Sequence, residues 1–254
     1  GSSMETVLSN VGNAAFNDPF YGWIDNEQIY FADRNTGIRR IGVNERNLAL
    51  STSDAKYDYF VQNNRLEYYG NPWQYGAMNA CFAKADGLWY WGKTYGGGGI
   101  FRFAESDISP VDISRGTNPP YPTIFPDEFV KSFVIDATNQ ILYAVIRDKG
   151  LYAVPLTDIT ANDATKTNTK AESKYLVASF KSDSEGSVGE YVDVCQMVLD
   201  SSDGSVYFGL RAEEGSSETS GIKRWNPTTK KLETIVSGVN VYGIALNNEL
   251  SNLF

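Results

Sequence analysis

The side chains of this sequence that could do chemistry are arginines, aromatic residues and carboxylates, because the 254-residue chain contains no histidine. Without histidine, the Ser-His-Asp and Cys-His catalytic groupings and histidine-based zinc sites are excluded. The two cysteines, Cys81 and Cys195, form no Cys-x-x-Cys motif and lack metal-ligand spacing. Both stand in apolar runs typical of strands, so we expect buried free thiols, with a disulfide as the alternative. These patterns predict no catalytic residue, no metal ligand and no cofactor.

Arginine recurs at one position of a repeated pattern. Four segments contain a tyrosine after an apolar residue, namely Tyr30, Tyr90, Tyr143 and Tyr207. The residues four positions later are Arg34, Thr94, Arg147 and Arg211. Because guanidinium groups form bidentate pairs with carboxylates, the three arginines are predicted to bind an anionic ligand, such as an acidic sugar or a partner's carboxylates. The alternative is that each arginine pairs with an acid next to it in the chain.

Aromatic residues are the second candidate for ligand binding. Five of them stand in connections rich in glycine and proline: Trp73, Tyr75, Tyr95, Tyr121 and Phe125. Exposed aromatic rings with polar groups nearby suit stacking on sugars or contact with a protein partner. Packing between the connections themselves is the alternative. Trp89 and Trp91 alternate within one strand-like run, so they are predicted to pack between neighbouring units.

The same repeats predict the scaffold that positions these residues. After each tyrosine come a polar loop and a second segment, Gly-Φ-x-x-Φ with Φ apolar, which begins at Gly37, Gly99, Gly150 or Gly221. Before each tyrosine stand another apolar run and a tight turn, the first placed at Asp25-Asn26. Asn, Asp and Gly in such turns are typical of β-hairpins. Two more hairpin-like runs cover 57–69 and 241–254.

Hairpins repeated in this way indicate an all-β chain, a β-propeller of four-stranded blades. We predict six blades with one abbreviated, or alternatively five. Residues 1–4, "GSSM", are interpreted as a cloning scar and 5–254 as a single domain. The stretch "TVLSNV" at 6–11 resembles "TIVSGV" at 234–239. An N-terminal strand is therefore predicted to close the domain against its C-terminal unit.

The stretch "IYFADRNTGIRRI", which begins at Ile29, resembles the repeat of the YWTD-type and NHL-type six-bladed propellers. The other copies, "WYWGK", "LYAVI" and "VYFGL", lack the Thr-Asp ending of that repeat. The resemblance implies architecture, and it implies that Asp33 is a strand-end turn residue. In this architecture the long connections emerge on one side of the molecule, here called the long-loop face, and the tight hairpin turns emerge on the opposite side, the turn face. Function concentrates on loops held by a rigid scaffold.

The composition limits the classes of partner that this chain can be expected to bind. A net charge of -9 opposes attraction to nucleic acid or to an anionic membrane surface, and no apolar run is long enough for membrane insertion. We predict a bacterial, secreted or cell-envelope propeller, located outside the cell, in the periplasm or on the cell surface, that binds a protein or carbohydrate without catalysis. One alternative is a lactonase-like or hydrolase-like enzyme with a divalent metal in the central channel. Another is a structural or assembly domain of a larger surface protein, which an exposed apolar patch would indicate.

Overall fold

The computed structural model describes residues 8–10, 19–33, 37–46, 48–50, 59–62, 82–92, 99–104, 123–126, 128–146, 149–159, 169–179, 192–212 and 220–247. Within these ranges the chain forms strands, and its only helical elements there are two single-turn 3-10 helices, Leu156–Asp158 and Ser173–Tyr175. The all-β prediction is confirmed.

Sixteen of the eighteen strands in the described ranges form four antiparallel sheets of four strands each, and the other two, β1 (Leu8–Asn10) and β5 (Leu48–Leu50), form a separate pair. The first sheet contains β2 (Pro19–Asp25), β3 (Gln28–Asp33), β4 (Gly37–Gly42) and β6 (Tyr59–Gln62). The second contains β7 (Phe82–Ala85), β8 (Leu88–Gly92), β9 (Ile100–Ala104) and β10 (Thr123–Ile124). The third contains β11 (Val130–Asp136), β12 (Ile141–Ile146), β13 (Gly150–Pro155) and β14 (Leu176–Ser179). The fourth contains β15 (Val192–Leu199), β16 (Val206–Ala212), β17 (Gly221–Asn226) and β18 (Lys231–Ser237).

Tight turns join the first two strands of each sheet, as predicted. Asp86 and Gly87, between β7 and β8, both have positive φ, 52° and 75°. Two successive positive φ angles match the right-handed twist of the flanking strands. The turn between β2 and β3 lies one residue later than predicted, at Asn26-Glu27 with φ of 47° and 59°. The reason is that Asp25 still pairs with Gln28 in the ladder.

Glycine begins the third strand of the third and fourth sheets for a steric reason. A Cβ on Gly150 would lie 2.1 Å from the Ala178 carbonyl oxygen, and a Cβ on Gly221 would lie 1.9 Å from the Val236 carbonyl oxygen. Both glycines also have positive φ, 143° and 154°. The repeated Gly-Φ-x-x-Φ pattern therefore marks the point where the outer strand passes too close for any side chain.

Aromatic rings fill the junction between the first and second sheets. The Trp89 ring lies 4.8 Å from the Tyr30 ring and 5.4 Å from the Trp23 ring, measured between centroids. Trp89 and Trp91 are both buried, and the Trp91 ring packs 5.8 Å from Phe101. The prediction that Trp89 packs between neighbouring units is confirmed.

The second and third junctions are built in the same way from alternating strand residues. Tyr90 and Ile100 of the second sheet share an apolar cluster with Leu142 and Ile146 of the third. A separate cluster joins the third and fourth sheets, with Tyr143, Val145, Val206, Phe208 and Leu210 among its members. The innermost strands also meet there, because the Met197 N–H donates to the buried Ser132 hydroxyl at 3.1 Å. The four sheets thus pack face to face in chain order.

One strand prediction fails in its pairing. The run 57–69 was expected to form a separate hairpin, but Tyr59–Gln62 completes the first sheet by pairing with β4. The described part of the segment 6–11, β1 (Leu8–Asn10), pairs in parallel with β5 (Leu48–Leu50). That an N-terminal strand closes the domain against its C-terminal unit stays a prediction. The described ranges hold four complete sheets. The number of blades in the whole chain stays a prediction.

Candidate ligand-binding face

Most residues of the predicted site lie outside the described ranges: Arg34, Trp73, Tyr75, Tyr95, Tyr121 and Arg147. Arg211 lies within β16, where its backbone pairs with Asp193, but its side chain is not among those described. Cys195 lies within β15 with the same restriction, and Cys81 is outside the described ranges. The roles of these residues stay predictions.

Phe125 is the one predicted site residue whose side chain is described, and its exposure was predicted wrongly. Its side chain is 0% exposed and packs edge-on against the Tyr152 ring at 5.5 Å between centroids. The backbone N–H of Phe125 donates to the Thr169 carbonyl at 2.7 Å. The ring is buried because chain segments distant in sequence cover it. It serves packing between connections, which was the alternative interpretation.

The segment around Phe125 ties the bases of several long connections together. Glu128 donates its N–H to the Phe125 carbonyl at 3.2 Å and accepts from the Gly99 N–H at 3.0 Å. The Glu128 carboxylate pairs with the Lys149 ammonium, which stands at the turn into β13. Gly99 ends the connection from β8 to β9. We call Gly99, Phe125, Glu128, Lys149 and Thr169 the platform. Its first four residues lie in connections of the long-loop face, whereas Thr169 comes from the β13–β14 connection, which leaves β13 at the turn-face end, where Pro155 pairs with Ile141.

The connection between β13 and β14 also packs against the sheets at both of its ends. Ile159 and Tyr175 are buried, and the Tyr175 hydroxyl donates to the Asp158 carboxylate at 3.0 Å. The stretch 157–174 is rich in polar residues, yet each of its described ends contributes a buried side chain, Ile159 at one and Thr169 at the other.

Two charged residues of the platform, Glu128 and Lys149, affect the pKa of Tyr152. Burial raises the pKa of the Tyr152 phenol above its ordinary value. The Lys149 ammonium acts in the opposite direction and the Glu128 carboxylate in the same direction as burial. The Tyr152 phenol is therefore neutral at physiological pH.

Charged groups at the turn face pair with one another. The Lys84 ammonium, in β7, lies 3.0 Å from the Asp25 carboxylate at the end of β2, and 5.2 Å from the centroid of the Trp89 ring. This pair joins the first sheet to the second. The Gln140 amide reaches the Asp86 carboxylate at 3.5 Å, joining the second sheet to the third.

The fourth sheet carries a denser ionic cluster at the same end. The Arg224 guanidinium donates to the Asp203 carboxylate at 2.6 Å and to the Ser205 hydroxyl at 3.0 Å, and it lies 3.7 Å from Glu233. Burial acts to raise the pKa of Asp203, but hydrogen bonds from Ser205 and Arg224 outweigh it and hold that pKa below its ordinary value. This cluster fixes the hairpin turn to the third strand.

Arginines also pair in strand register with the repeat tyrosines. The repeat tyrosine of the second strand pairs with an arginine of the third strand in three sheets: Tyr30 with Arg40, Tyr90 with Arg102, and Tyr207 with Arg224. In the third sheet Tyr143 faces Ala153 instead. Burial raises the pKa of Tyr90, whereas Arg102 opposes this shift by charge and by a hydrogen bond. The fourth position of the Gly-Φ-x-x-Φ segment is the sequence signal for these pairs.

The described ranges contain neither a metal-binding cluster nor a helix that could span a membrane. No three His, Cys, Asp or Glu residues there are grouped in a way that could hold a metal ion. No helix there has the length and apolar character needed to cross a membrane.

Comparison with known proteins identifies the architecture. No protein-family model and no curated protein sequence matches this chain. The extracellular domain of a proposed one-component system from Bacteroides thetaiotaomicron matches with a TM-score of 0.50 and 14% identity, over 91% of this chain and 25% of that one. The fold is a β-propeller.

Two further solved structures match less well. A quinoprotein alcohol dehydrogenase-like protein from Bacteroides thetaiotaomicron has a TM-score of 0.43 and 17% identity, over 81% of this chain and 42% of that one. A protein described as a 6-phosphogluconolactonase, from Bacteroides uniformis, has a TM-score of 0.48 and 10% identity, over 92% of this chain and 62% of that one. The propeller spans less than two thirds of the length of each of these three structures.

Proposed function

We propose that this propeller is a non-catalytic binding protein that holds a protein or carbohydrate ligand on its long-loop face. The observation that carries the proposal is the platform. Hydrogen bonds and an ion pair converge on Phe125 and Glu128 and fix the bases of connections that arise from different sheets. A rigid base under variable connections is the arrangement that lets loops present a preorganised binding surface.

The turn face offers less to a ligand. Several of the ionic groups described there pair within the protein, as in the pairs of Lys84 with Asp25 and of Arg224 with Asp203. A ligand would have to break these pairs before binding there, and broken ion pairs leave uncompensated charges. The first two strands of each sheet are also joined there by tight turns, whereas the long-loop face carries longer connections that can present a binding surface.

The ligand class follows from the predicted side chains of that face. Arg34, Arg147 and Arg211 supply guanidinium groups that suit carboxylate or sulfate groups. Trp73, Tyr75, Tyr95 and Tyr121 supply rings that suit stacking on sugars. An acidic oligosaccharide uses both kinds of contact, so we propose it as the preferred ligand over a neutral sugar. The compartment that we propose is extracellular, periplasmic or cell-surface; the solved structure with a TM-score of 0.50 is itself an extracellular domain, so the fold occurs there.

The proposal is tested by titrating acidic and neutral oligosaccharides into the wild-type protein and into Arg147→Ala and Arg211→Ala. Removing one charge-assisted hydrogen-bonding partner is expected to weaken binding of the acidic sugar by about tenfold to a hundredfold. Arg46→Ala is the matched control, because Arg46 is an exposed arginine in the connection after β4, at the turn face. Equal affinity in all four proteins would refute the arginine site. A stoichiometric divalent metal in the purified protein would instead favour the channel-centred hydrolase.

A further inference from the structure

The β13–β14 connection crosses from the third sheet to the second. It leaves β13 at the turn-face end, and Thr169 then forms a parallel bridge with Ile124 of β10, the outermost strand of the second sheet. We call the described residues of this connection, 156–159 and 169–175, the strap. The strap links the third sheet to the second.

Buried contacts anchor the strap at both of its described parts. Ile159 and Tyr175 are buried in the apolar cluster that joins the second and third sheets. The Tyr175 hydroxyl donates to the Asp158 carboxylate at 3.0 Å, and the Thr169 hydroxyl donates to the Asp158 carbonyl oxygen at 3.5 Å. Asp158 therefore ties the beginning of the strap to its end.

The strap holds Phe125 in a strained backbone conformation. Phe125 has a φ of 57°, in the left-handed region that a bulky side chain rarely adopts. Pro126 follows it, and a residue before proline prefers the extended region. The hydrogen bond from the Phe125 N–H to the Thr169 carbonyl, 2.7 Å long, acts against that preference. Strained backbone that is kept in place by its surroundings is typical of switch regions and ligand clamps.

The other backbone group of Phe125 leads to the long connections. Its carbonyl accepts from the Glu128 N–H at 3.2 Å, and the Glu128 carbonyl accepts from the Gly99 N–H at 3.0 Å. Because φ sets the relative orientation of the N–H and the C=O of Phe125, a return to the extended conformation cannot keep both of its bonds. Release of the strap is therefore coupled to release of the platform.

We propose that the strap is a conformational switch for the long-loop face. In the attached form it holds Phe125 in the left-handed conformation and the platform is fixed. In the detached form Phe125 returns to the extended conformation, and the bases of the long connections are released. The role of the switch rests on the proposed ligand-binding function: the attached form presents the preorganised surface, so a ligand there shifts the equilibrium toward attachment.

The test is hydrogen exchange of the full chain, measured at single amides by NMR. In wild type the amides of Phe125, Glu128 and Gly99 are expected to be protected to the same degree, because they open together. They are expected to exchange at least about tenfold faster than the amides of β16, since release of the strap leaves the four sheets folded. Unequal protection of Phe125 and Gly99, or opening of both only together with β16, would overturn the proposal.

A variant at the far end of the strap tests the coupling. Tyr175→Phe removes the hydroxyl that donates to Asp158 and keeps the buried ring. It is expected to speed exchange of the three platform amides by about tenfold, as loss of one hydrogen bond to a charged group predicts. A faster Phe125 amide with an unchanged Gly99 amide would mean that the strap does not act on the platform. Glu172→Gln is the matched control and is expected to change none of these rates, because Glu172 forms its ion pair in the same connection between exposed side chains.

Adding an acidic oligosaccharide separates this inference from the proposed function. With the sugar at about a hundred times its Kd, exchange of the three platform amides is expected to slow by about a hundredfold, because only the attached form binds it. A sugar that binds and leaves these rates unchanged would overturn the switch. If no oligosaccharide binds while the three amides still open together, the proposed ligand fails and the switch stands.

Discussion

Replacing Phe125 separates its structural role from a role in ligand stacking. The ring is fully buried and lies against Tyr152. Truncation of a buried phenylalanine to alanine costs about 3–5 kcal/mol, since burial is lost and a cavity remains. For a protein of this size, each kcal/mol lowers Tm by roughly 2–4 °C. Phe125→Ala is therefore expected to lower Tm by about 6–20 °C.

The backbone conformation of Phe125 allows a second test, in which Phe125→Gly is compared with Phe125→Ala. Phe125 has a φ of 57°, in the left-handed region that side chains other than glycine adopt at a cost of about 1–2 kcal/mol. Alanine keeps that cost, whereas glycine removes it. Phe125→Gly is thus expected to be no less stable than Phe125→Ala, although glycine is smaller and more flexible in the unfolded chain.

The assays are thermal unfolding, which gives Tm, and urea unfolding, which gives the free energy of unfolding, both followed by tryptophan fluorescence with Phe129→Ala as the control. Phe129 is 39% exposed in the same connection, so its truncation is expected to cost about 1 kcal/mol or less. The reasoning is refuted if Phe125→Ala loses no more stability than Phe129→Ala. That result, together with weaker binding of oligosaccharides, would return Phe125 to the ligand site.

Three further predictions concern the sheets and their turns. Gly221→Ala is expected to lower the free energy of unfolding by more than about 2 kcal/mol, because its Cβ would collide with a carbonyl of the neighbouring strand. In the control Gly238→Ala the Cβ meets open space, so only about 1–2 kcal/mol of backbone strain is expected. Equal losses of stability in urea unfolding would contradict the collision. A double-mutant cycle with Lys84→Ala and Asp25→Ala is expected to give a coupling energy of about 0.2–1 kcal/mol, because both side chains are about one-third exposed. This coupling energy should decrease at high salt. Its absence at low salt would show that the pair does not join the sheets. The depressed pKa of Asp203 means that the folded state binds fewer protons than the unfolded state, so this stabilisation is present above pH 3.8 and is lost as pH falls below it. Asp203→Asn should flatten that acid limb of the stability profile, and an unchanged limb would assign it to other carboxylates.

The hairpins could be predicted from the sequence because their signals are local. A turn with Asp86-Gly87 and an apolar run on each side determine a hairpin within a dozen residues or so, and the observed pairing follows that pattern. The glycine that begins a third strand is also readable, since Gly150 and Gly221 meet the outer strand at a distance that excludes a side chain. The turn signal depends on neighbours that are close in the chain, whereas the glycine is readable because it recurs in each repeat; the carbonyls that it meets belong to later strands.

The outer strands and the burial of Phe125 depend on distant partners. Tyr59–Gln62 has the alternation of a hairpin strand, but its partner β4 lies across a connection that contains β5, so no short turn links the two strands. Prolines on both sides of Phe125 favour an exposed loop, and nothing local indicates that the Thr169 segment lies over it. The arginine pairs of the turn face were visible only as a repeated residue type. Their partners became clear once the register was known.

The order of the strands has a consequence for how the chain is made. Three of the four sheets use strands that follow one another along the sequence, the first sheet leaves out only β5, and sheets that are neighbours in the chain pack on each other. As the polypeptide leaves the ribosome, a sheet can therefore form its hydrogen-bonded ladder before the next one has been synthesised. Local closure of this kind keeps contact order low and shortens the time during which strand edges are exposed to aggregation. The last sheet to emerge covers the tyrosine side of the one before it, so assembly proceeds in the direction of translation.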